Sequence, residues 1–419
     1  MLRVYLSLAL ACLLLGVSAF LVKQPKARRV LARLSYVVLL FLFVEAASVL
    51  ALYVKFQRWP FNDRTDYLRQ LYEPHPYLVA KARPNAHIIF RGITYSHNAQ
   101  GFRGKDIPQK SGKLRVIAVG GSTTYGANVN DDQTWAAQLE TLLGDRYEVL
   151  NFGMLGHSTA EHIGLLALSV PEYHPDVLLI HTGLNDLRNM HVRGLAPDYS
   201  DYHAPMLYHS LGLCRVSPVQ SFASGRIAVW VFQRIGLLAD CALPYDEPQE
   251  DPSPESEELA KGLYRRNLKT LVAIAEEHGV KPILVPQILV KESFEGGKLK
   301  WWIPLVEDRQ LIDYMNQYNR VMEDVARGEG LRYVGEVLQQ QWTKDDFADA
   351  SHLNAAGNRK FATVLQNVIV NLREQDYHAP VKETKSTAKD SAGRQEGNRM
   401  FAQPVVKTTR RKVMAAPPV

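Results

Sequence analysis

Ser122 follows a short apolar stretch, in a glycine-rich turn of the kind that can hold a reactive group. Residues 120–126 read GGSTTYG, directly after the largely apolar run 114–119. Such a glycine-rich turn either cradles a phosphate or exposes a nucleophile. A phosphate-binding loop needs a lysine after its last glycine, and a dinucleotide fingerprint needs G-x-G-x-x-G; neither pattern is present. We therefore predict that Ser122 is a nucleophile at the end of a strand.

Polar motifs at the ends of other predicted elements supply groups that a serine nucleophile needs. Gly153 follows the second predicted strand, where it can present a backbone N–H to developing negative charge, and Asn185 follows the third with a side-chain amide. Asp349 precedes His352 by three residues, just before the last predicted helix. Within one tight loop, that spacing lets the carboxylate bond one ring nitrogen and direct the other toward Ser122.

Strand and helix patterns alternate along the chain and place these motifs. Continuous apolar strands in this order predict a parallel sheet with helices on both faces, and sites in such sheets form at the carboxyl ends of the strands. The predicted strands are 116–119, 147–152, 176–181, 281–286 and 331–334, and the predicted helices are 134–143, 158–170, 263–278, 314–328 and 355–373.

Taken together, the four motifs resemble those of the SGNH hydrolases, also called the GDSL esterase/lipase family. The stretch 75–104, which includes NAQGFRG at 98–104, resembles the amino-terminal extension of its bacterial membrane-anchored type. The resemblance covers roughly residues 114–372 and implies a three-layer α/β/α flavodoxin-like fold. It implies that Ser122 is the nucleophile, that His352 is the general base and then acid, and that Asp349 orients it. The Ser122 N–H, Gly153 and Asn185 would form the oxyanion hole. One departure is Gly121, where the family often has aspartate in its Gly-Asp-Ser signature.

The resemblance implies ester hydrolysis through an acyl-enzyme, without a metal or another cofactor. In the family the acyl group is often acetyl and the alcohol often a sugar, so we expect O-acetyl groups on a carbohydrate or polysaccharide as substrate. Three alternatives stay open. They are an O-acyltransferase with the same triad, a non-catalytic polysaccharide-binding or assembly protein, and a thioesterase or lipase.

Two apolar stretches near the amino terminus predict a membrane anchor. Residues 2–21 and 34–54 are each about 20 residues long, enough to cross a bilayer as a helix. The connection, from Lys23 to Arg33, carries five basic residues and no acidic one, which places it in the cytoplasm. The chain after about Lys55 would then be periplasmic, on a bacterial inner membrane. A cleaved signal peptide ending near residue 19 is the alternative for the first stretch.

Glu45, in the second stretch, is expected to be protonated or to face the first helix, unless it has a functional role.

These patterns divide the chain into four predicted regions. They are a membrane anchor (1–55), an amino-terminal extension with a β-hairpin at 87–96 (56–113), a hydrolase domain (114–375) and a disordered basic tail (376–419). An insertion at about 188–259 interrupts the domain, and we interpret it as a cap over the site or as a contact with the membrane surface.

Charge and cysteine content bound the remaining functions. The net charge of +6 arises at the ends, because residues 1–54 hold six basic side chains and one acidic one, and residues 376–419 hold nine and four. The body between them is slightly acidic, which argues against a nucleic-acid partner.

Cys214 and Cys241 flank one segment of the body and are either bridged, as an extracytoplasmic location allows, or two separate thiols.

Overall fold

The computed structural model describes residues 2–56, 66–108, 110, 112–213, 219, 222–235, 237, 252–290 and 308–372. The predicted basic tail and the pair Cys214 and Cys241 lie outside the described residues. The bounds of the predicted regions therefore stay predictions at these places.

Two apolar helices open the chain, α1 (Leu2–Leu21) and α2 (Pro25–Phe56). They pack antiparallel, and small residues allow the close approach: Ser35 Oγ donates to the carbonyl of Cys12 at 3.2 Å, and a Cβ on Gly16 would lie 3.5 Å from Ser35 Oγ. Within the described residues, α2 is the one helix long and apolar enough to cross a membrane, over Pro25–Val54. The apolar part of α1 is shorter than that criterion. The structure thus carries one clear candidate span where the sequence predicts two.

The extension between the anchor and the sheet forms two antiparallel hairpins. The predicted hairpin at 87–96 is present, with Ile88 opposite Tyr95. A second hairpin precedes it, in which Pro74 lies opposite Ala80 in a short two-stranded ribbon. The elements are α3 (Asp66–Leu71), β1 (Tyr72–His75), β2 (Val79–Ala82), β3 (His87–Phe90) and β4 (Ile93–Ser96).

A parallel sheet forms the centre of the domain, as predicted. Among the described residues it has five strands in the order β6-β5-β7-β8-β9, which is the flavodoxin-like arrangement. The strands are β5 (Leu114–Gly120), β6 (Tyr147–Asn151), β7 (Val177–His181), β8 (Lys281–Leu284) and β9 (Arg332–Tyr333).

Helices cover both faces of this sheet. Along β5, Ile117 and Val119 pack on the side of α6, α10 and α11, while Val116 and Ala118 pack on the side of α5 and α13. Successive side chains of a strand therefore point into two separate hydrophobic cores, one on each face of the sheet. Helices, sheet and helices form the predicted three layers. The helices are α4 (Ser122–Tyr125), α5 (Trp135–Leu143), α6 (Thr159–Leu168), α7 (Leu184–Leu187), α8 (His203–Ser210), α9 (Ala223–Arg234), α10 (Pro254–Glu277), α11 (Asp308–Glu329), α12 (Glu336–Gln339) and α13 (Ala355–Val370).

The predicted insertion contributes to the fold at both of its ends. Helix α10 begins at Pro254, earlier than expected, because Ser253 caps it and proline suits the first helical position. Helix α8 contacts β2, whereas α9 contacts α2 of the anchor. The structure therefore places α9 against α2, the candidate membrane span, and both interpretations of the insertion stay predictions.

Candidate active site

The turn after β5 places Ser122 at the first position of α4. Gly121 precedes this helix, and Gly126 ends it with a φ of 83°, which favours glycine. A Cβ on Gly120 would lie 2.1 Å from Thr124 Oγ1 and 2.3 Å from the His181 carbonyl, so the turn can close only with glycine at that position. This tight turn presents the serine hydroxyl at the carboxyl end of β5.

Ser122, His352 and Asp349 form a continuous hydrogen-bonded chain. His352 Nε2 lies 2.8 Å from Ser122 Oγ. His352 Nδ1 lies 2.8 Å from each carboxylate oxygen of Asp349. The two ring nitrogens thus face the two groups that the sequence assigns to them, which is the geometry that a general base requires.

The loop that carries Asp349 and His352 is closed on itself. Phe347 and Leu353 form an antiparallel bridge, and the N–H of Ala348 donates to the His352 carbonyl at 2.8 Å. Inside this loop, Asp349 Oδ1 accepts the N–H of Ser351 at 3.0 Å and that of His352 at 2.9 Å.

These contacts set the protonation state of Asp349. Burial acts to raise the pKa of its carboxyl, but the charge of His352 and the hydrogen bonds from His352 and Ser351 hold that pKa below its usual range. The carboxylate is therefore ionised at neutral pH and can stabilise an imidazolium on His352.

Helix α13 carries the loop to the serine. Asn354 caps α13 by accepting the N–H of Gly357 at 3.0 Å. Trp135, at the start of α5, donates its backbone N–H to Asn358 of α13 at 2.9 Å and its indole N–H to the Thr123 carbonyl at 3.2 Å. One residue therefore contacts both the nucleophile turn and the helix that positions the histidine.

Asn185 lies beside the backbone that carries the nucleophile, as predicted. It follows β7 on the short helix α7, and its Nδ2 donates to the His157 carbonyl at 2.8 Å. A Cβ on Gly121 would lie 2.5 Å from that same Nδ2. The amide has a second N–H to offer, and the absence of a side chain at position 121 gives it room.

The geometry does not fit the predicted role of Gly153. Its N–H donates to Asn151 Oδ1 at 2.9 Å, and a Cβ on it would lie 2.2 Å from the Tyr125 nitrogen. This glycine is needed for close packing against α4, and its N–H is already in use. Gly156 lies in the same loop with a φ of 77°, and its N–H has no acceptor among the described residues.

The family model that describes the GDSL-like lipase/acylhydrolase family matches residues 118–360, more than half of the chain. The chain belongs to this family. It is accordingly an enzyme that hydrolyses ester bonds.

Several solved structures are similar to this acylhydrolase. An α/β hydrolase from the metagenome of Lake Arreo is 16% identical, with 63% of this chain and 99% of that chain covered and a TM-score of 0.36. A catalytic mutant of an acetylxylan esterase from Geobacillus stearothermophilus is 16% identical, with coverages of 62% and 96% and a TM-score of 0.35. A lipase/acylhydrolase from Enterococcus faecalis is 15% identical, with coverages of 61% and 95% and a TM-score of 0.36. No curated protein matches the chain in sequence.

Two polar residues that the sequence analysis did not single out contact the site of this acylhydrolase, one at the triad and one at the residue after its serine. Asn128 Nδ2 donates to Asp349 Oδ2 at 2.7 Å. Gln287, after β8, accepts the hydroxyl of Thr123 at 3.3 Å. Asn128 has a φ of 70°, a left-handed conformation that asparagine tolerates. In the sequence, the one indication of its position near the site is that it follows Gly126 closely.

Arg103 of the extension binds the nucleophile turn of the acylhydrolase at its carboxyl end. Its guanidinium donates to the carbonyls of Tyr125 at 2.9 Å and Thr94 at 3.1 Å, and to Asp131 at 2.9 Å. It also lies 4.7 Å from the ring centroids of Tyr95 and Tyr125. The side chain is buried, so it joins the extension to the carboxyl end of α4.

A buried acidic group adjoins Asn185. Asp186 accepts the N–H of Thr159 at 3.2 Å and the hydroxyl of Tyr199 at 3.2 Å. Burial raises the pKa of its carboxyl to about 6, although these hydrogen bonds act to lower it. Nearby, Glu161 binds His203 Nε2 at 3.1 Å. Tyr199 and His203 both belong to the insertion, which is thus bound to α7 through Asp186 and to α6 through Glu161.

A cavity of about 340 Å³ is lined by Gln287, whose side chain accepts the hydroxyl of Thr123 beside the catalytic serine. Its lining combines amide side chains with apolar and aromatic ones: Gln287, Ile288, Met315, Asn316, Gln340 and Trp342. Among the described residues, no group of three or more His, Cys, Asp or Glu side chains is arranged to hold a metal ion.

Proposed function

We propose that this enzyme is a membrane-anchored serine esterase that removes O-acetyl groups from a carbohydrate through an acyl-enzyme. The observation that carries the proposal is the hydrogen-bonded chain of the triad, with 2.8 Å from Ser122 Oγ to His352 Nε2 and 2.8 Å from Nδ1 to Asp349. A binding protein has no need of such an arrangement.

The reaction follows from the positions of these groups. Ser122 Oγ attacks the ester carbonyl carbon while His352 Nε2 takes its proton, and the ionised Asp349 stabilises the resulting imidazolium. The tetrahedral oxyanion accepts hydrogen bonds from the Ser122 N–H and from Asn185 Nδ2. We assign the third donor to the Gly156 N–H in place of that of Gly153. The imidazolium then gives its proton to the leaving alcohol, and water releases the acyl group by the reverse sequence.

The cavity beside Gln287 supports a polar alcohol as the leaving group. The amides of Gln287, Asn316 and Gln340 can both donate and accept hydrogen bonds, as the hydroxyls of a sugar require. The volume of about 340 Å³ suits a small ligand, such as one or two sugar rings.

The anchor supports a location on the bacterial inner membrane, with the catalytic domain in the periplasm. We propose that α1 crosses the bilayer together with α2, because its 20 residues pack along α2. The basic connection between the two helices would face the cytoplasm. A reporter fused after Gln375 should be active in the periplasm, and activity restricted to the cytoplasm would reverse this orientation.

The hydrolase mechanism is tested with the full chain in detergent. We expect hydrolysis of nitrophenyl acetate and of an acetylated oligosaccharide, a weaker rate on a long-chain ester, and loss of at least about 10³-fold in kcat for Ser122→Ala and for His352→Ala. The exposed Ser200→Ala is the matched control and should keep wild-type activity. Equal rates for wild type and Ser122→Ala would reject the mechanism. Transfer of acetyl to an added sugar in preference to water would favour the acyltransferase.

A further inference from the structure

Glu45 is almost fully buried, with 1% of its surface exposed, although it lies on the membrane helix α2. Its carboxylate accepts hydrogen bonds from three directions. The donors are the Tyr5 hydroxyl of α1 at 2.5 Å, the backbone N–H groups of Ala223 at 2.8 Å and Ser224 at 3.1 Å, and the Ser224 hydroxyl. A carboxylate in the apolar part of a bilayer is costly unless it is paired, and this one has four donors.

Three of these donors, two of them backbone N–H groups, belong to the first turn of α9, a segment 178 residues further along the chain. The N–H groups of a first turn have no acceptor inside their own helix. A carboxylate at this end also interacts favourably with the helix dipole. Glu45 therefore acts as the N-terminal cap of α9, and α9 shields Glu45.

Aromatic contacts give the direction in which α9 runs. Phe222, just before α9, contacts Phe41 with ring centroids 5.4 Å apart, and Phe41 lies one turn before Glu45. The chain thus passes the level of Phe41 and then that of Glu45, so α9 runs parallel to α2 toward Phe56. Its 12 residues span about 18 Å, close to the length of α2 between Glu45 and Phe56.

The outward side of α9 is apolar near the carboxyl end of the helix. Val231, Phe232 and Ile235 are 40%, 44% and 60% exposed. This surface continues the exposed apolar surface of α2, where Leu50 and Val54 are 63% and 61% exposed. Lipid acyl chains that cover one of these surfaces would cover the other, because the two helices lie side by side.

We propose that α9 is an additional membrane-embedded helix, held in the outer half of the bilayer by Glu45 and covered on its outward side by lipid acyl chains. The inference rests on the anchoring of α2 given under Proposed function. According to this proposal, the insertion contacts the membrane through α9.

The same insertion also reaches the catalytic loop. Leu207 of α8 contacts Gly156, since a Cβ on that glycine would lie 2.4 Å from Leu207 Cδ1. The nine peptide steps from Leu213 to Phe222 span at most about 31 Å. The loop that supplies the oxyanion donor is thus tethered to a helix in the bilayer, which keeps the site within reach of esters carried at the membrane surface.

The test uses the full chain in liposomes whose acyl chains carry bromine, a short-range quencher of tryptophan. Trp230→Phe removes the emission of the indole on α9, and Trp342→Phe is the matched control in the catalytic domain. We expect bromine to remove most of the emission that depends on Trp230 and little of that which depends on Trp342. Similar quenching of both, or of neither, while the protein floats with the liposomes, would overturn the proposal.

Glu45→Ala tests the cap itself. We expect this variant to float with liposomes and to hydrolyse nitrophenyl acetate, which shows that it is folded, but to lose most of the quenching at Trp230. Glu45→Gln keeps one accepting oxygen and should lose less. Unchanged quenching in Glu45→Ala would overturn the role of Glu45, whereas a wild-type chain that does not float would instead reject the membrane anchoring.

Discussion

Gly121→Ala tests whether the amide of Asn185 acts on the reacting ester. The backbone at Gly121 has a φ of −82°, which alanine adopts without strain. The new methyl carbon would lie 2.5 Å from Asn185 Nδ2, whereas ordinary contacts begin near 3.4 Å. The amide must therefore move by about 0.9 Å, and it can do so because it is the end of a side chain.

A misplacement of about 1 Å in a catalytic group costs on the order of 10²-fold in rate, or roughly 2.7 kcal/mol of transition-state stabilisation. We expect this loss in kcat/KM on nitrophenyl acetate, with an unfolding temperature close to that of the wild type. The control is Gly262→Ala in α10, where an added Cβ meets nothing within 4 Å. It should keep full activity and be no less stable.

The double variant separates this mechanism from a general disturbance of the turn. Asn185→Ala should cost about 10²- to 10³-fold by removal of an oxyanion donor. In that background the closest contact at position 121 is gone and the His157 carbonyl oxygen, 3.2 Å from the added Cβ, remains as the nearest atom, so Gly121→Ala should cost little more. Wild-type kcat/KM in Gly121→Ala, or losses that multiply in the double variant, would refute the reasoning.

Three other residues give predictions with different readouts. Asn128→Gly removes the hydrogen bond to Asp349 without strain at a left-handed position, and should lower kcat/KM by about fivefold, or roughly 1 kcal/mol, in the same ester assay. Arg103→Lys loses the planar fork that binds several carbonyls at once, and should destabilise the fold by about 3 kcal/mol in denaturant unfolding, with wild-type stability contradicting its structural role. Because burial raises the pKa of Asp186 from 3.8 to about 6, the folded state holds a proton that the unfolded state releases. The free energy of unfolding should therefore fall by about 3 kcal/mol as pH rises from 4 to above 6, and Asp186→Asn should lack this component in pH-dependent unfolding curves.

The sequence predicts those parts of the site in which chemistry and local structure coincide. Ser122 follows an apolar strand, so it is expected at the carboxyl edge of the sheet, and Asp349 and His352 share one loop, so their spacing alone places them in the right relation to each other. Asn185 is found for the same reason, because the carboxyl ends of parallel strands meet at one edge of a sheet.

The parts that the sequence does not reveal depend on distant partners. We propose Gly156 in place of Gly153 as an oxyanion donor because the Asn151 side chain takes the N–H of Gly153, a contact that no periodicity encodes. The guanidinium of Arg103 reaches carbonyls contributed by separate segments of the chain. Similarly, an apolar pattern over α9 is compatible with a cap or with a membrane helix, and the proposal of a membrane helix depends on the contact with Glu45.

The acid and the base of the triad are assembled inside one closed loop, whereas the bond to Ser122 joins residues 230 positions apart. That long-range bond depends on the seam between α13 and α5, at Trp135 and Asn358. A partial opening of this seam would leave the sheet and the Asp349–His352 pair intact while it separates them from the nucleophile. Such an opening needs less free energy than global unfolding. We therefore expect heating to abolish activity when α13 separates from α5, at a temperature below that at which the sheet unfolds.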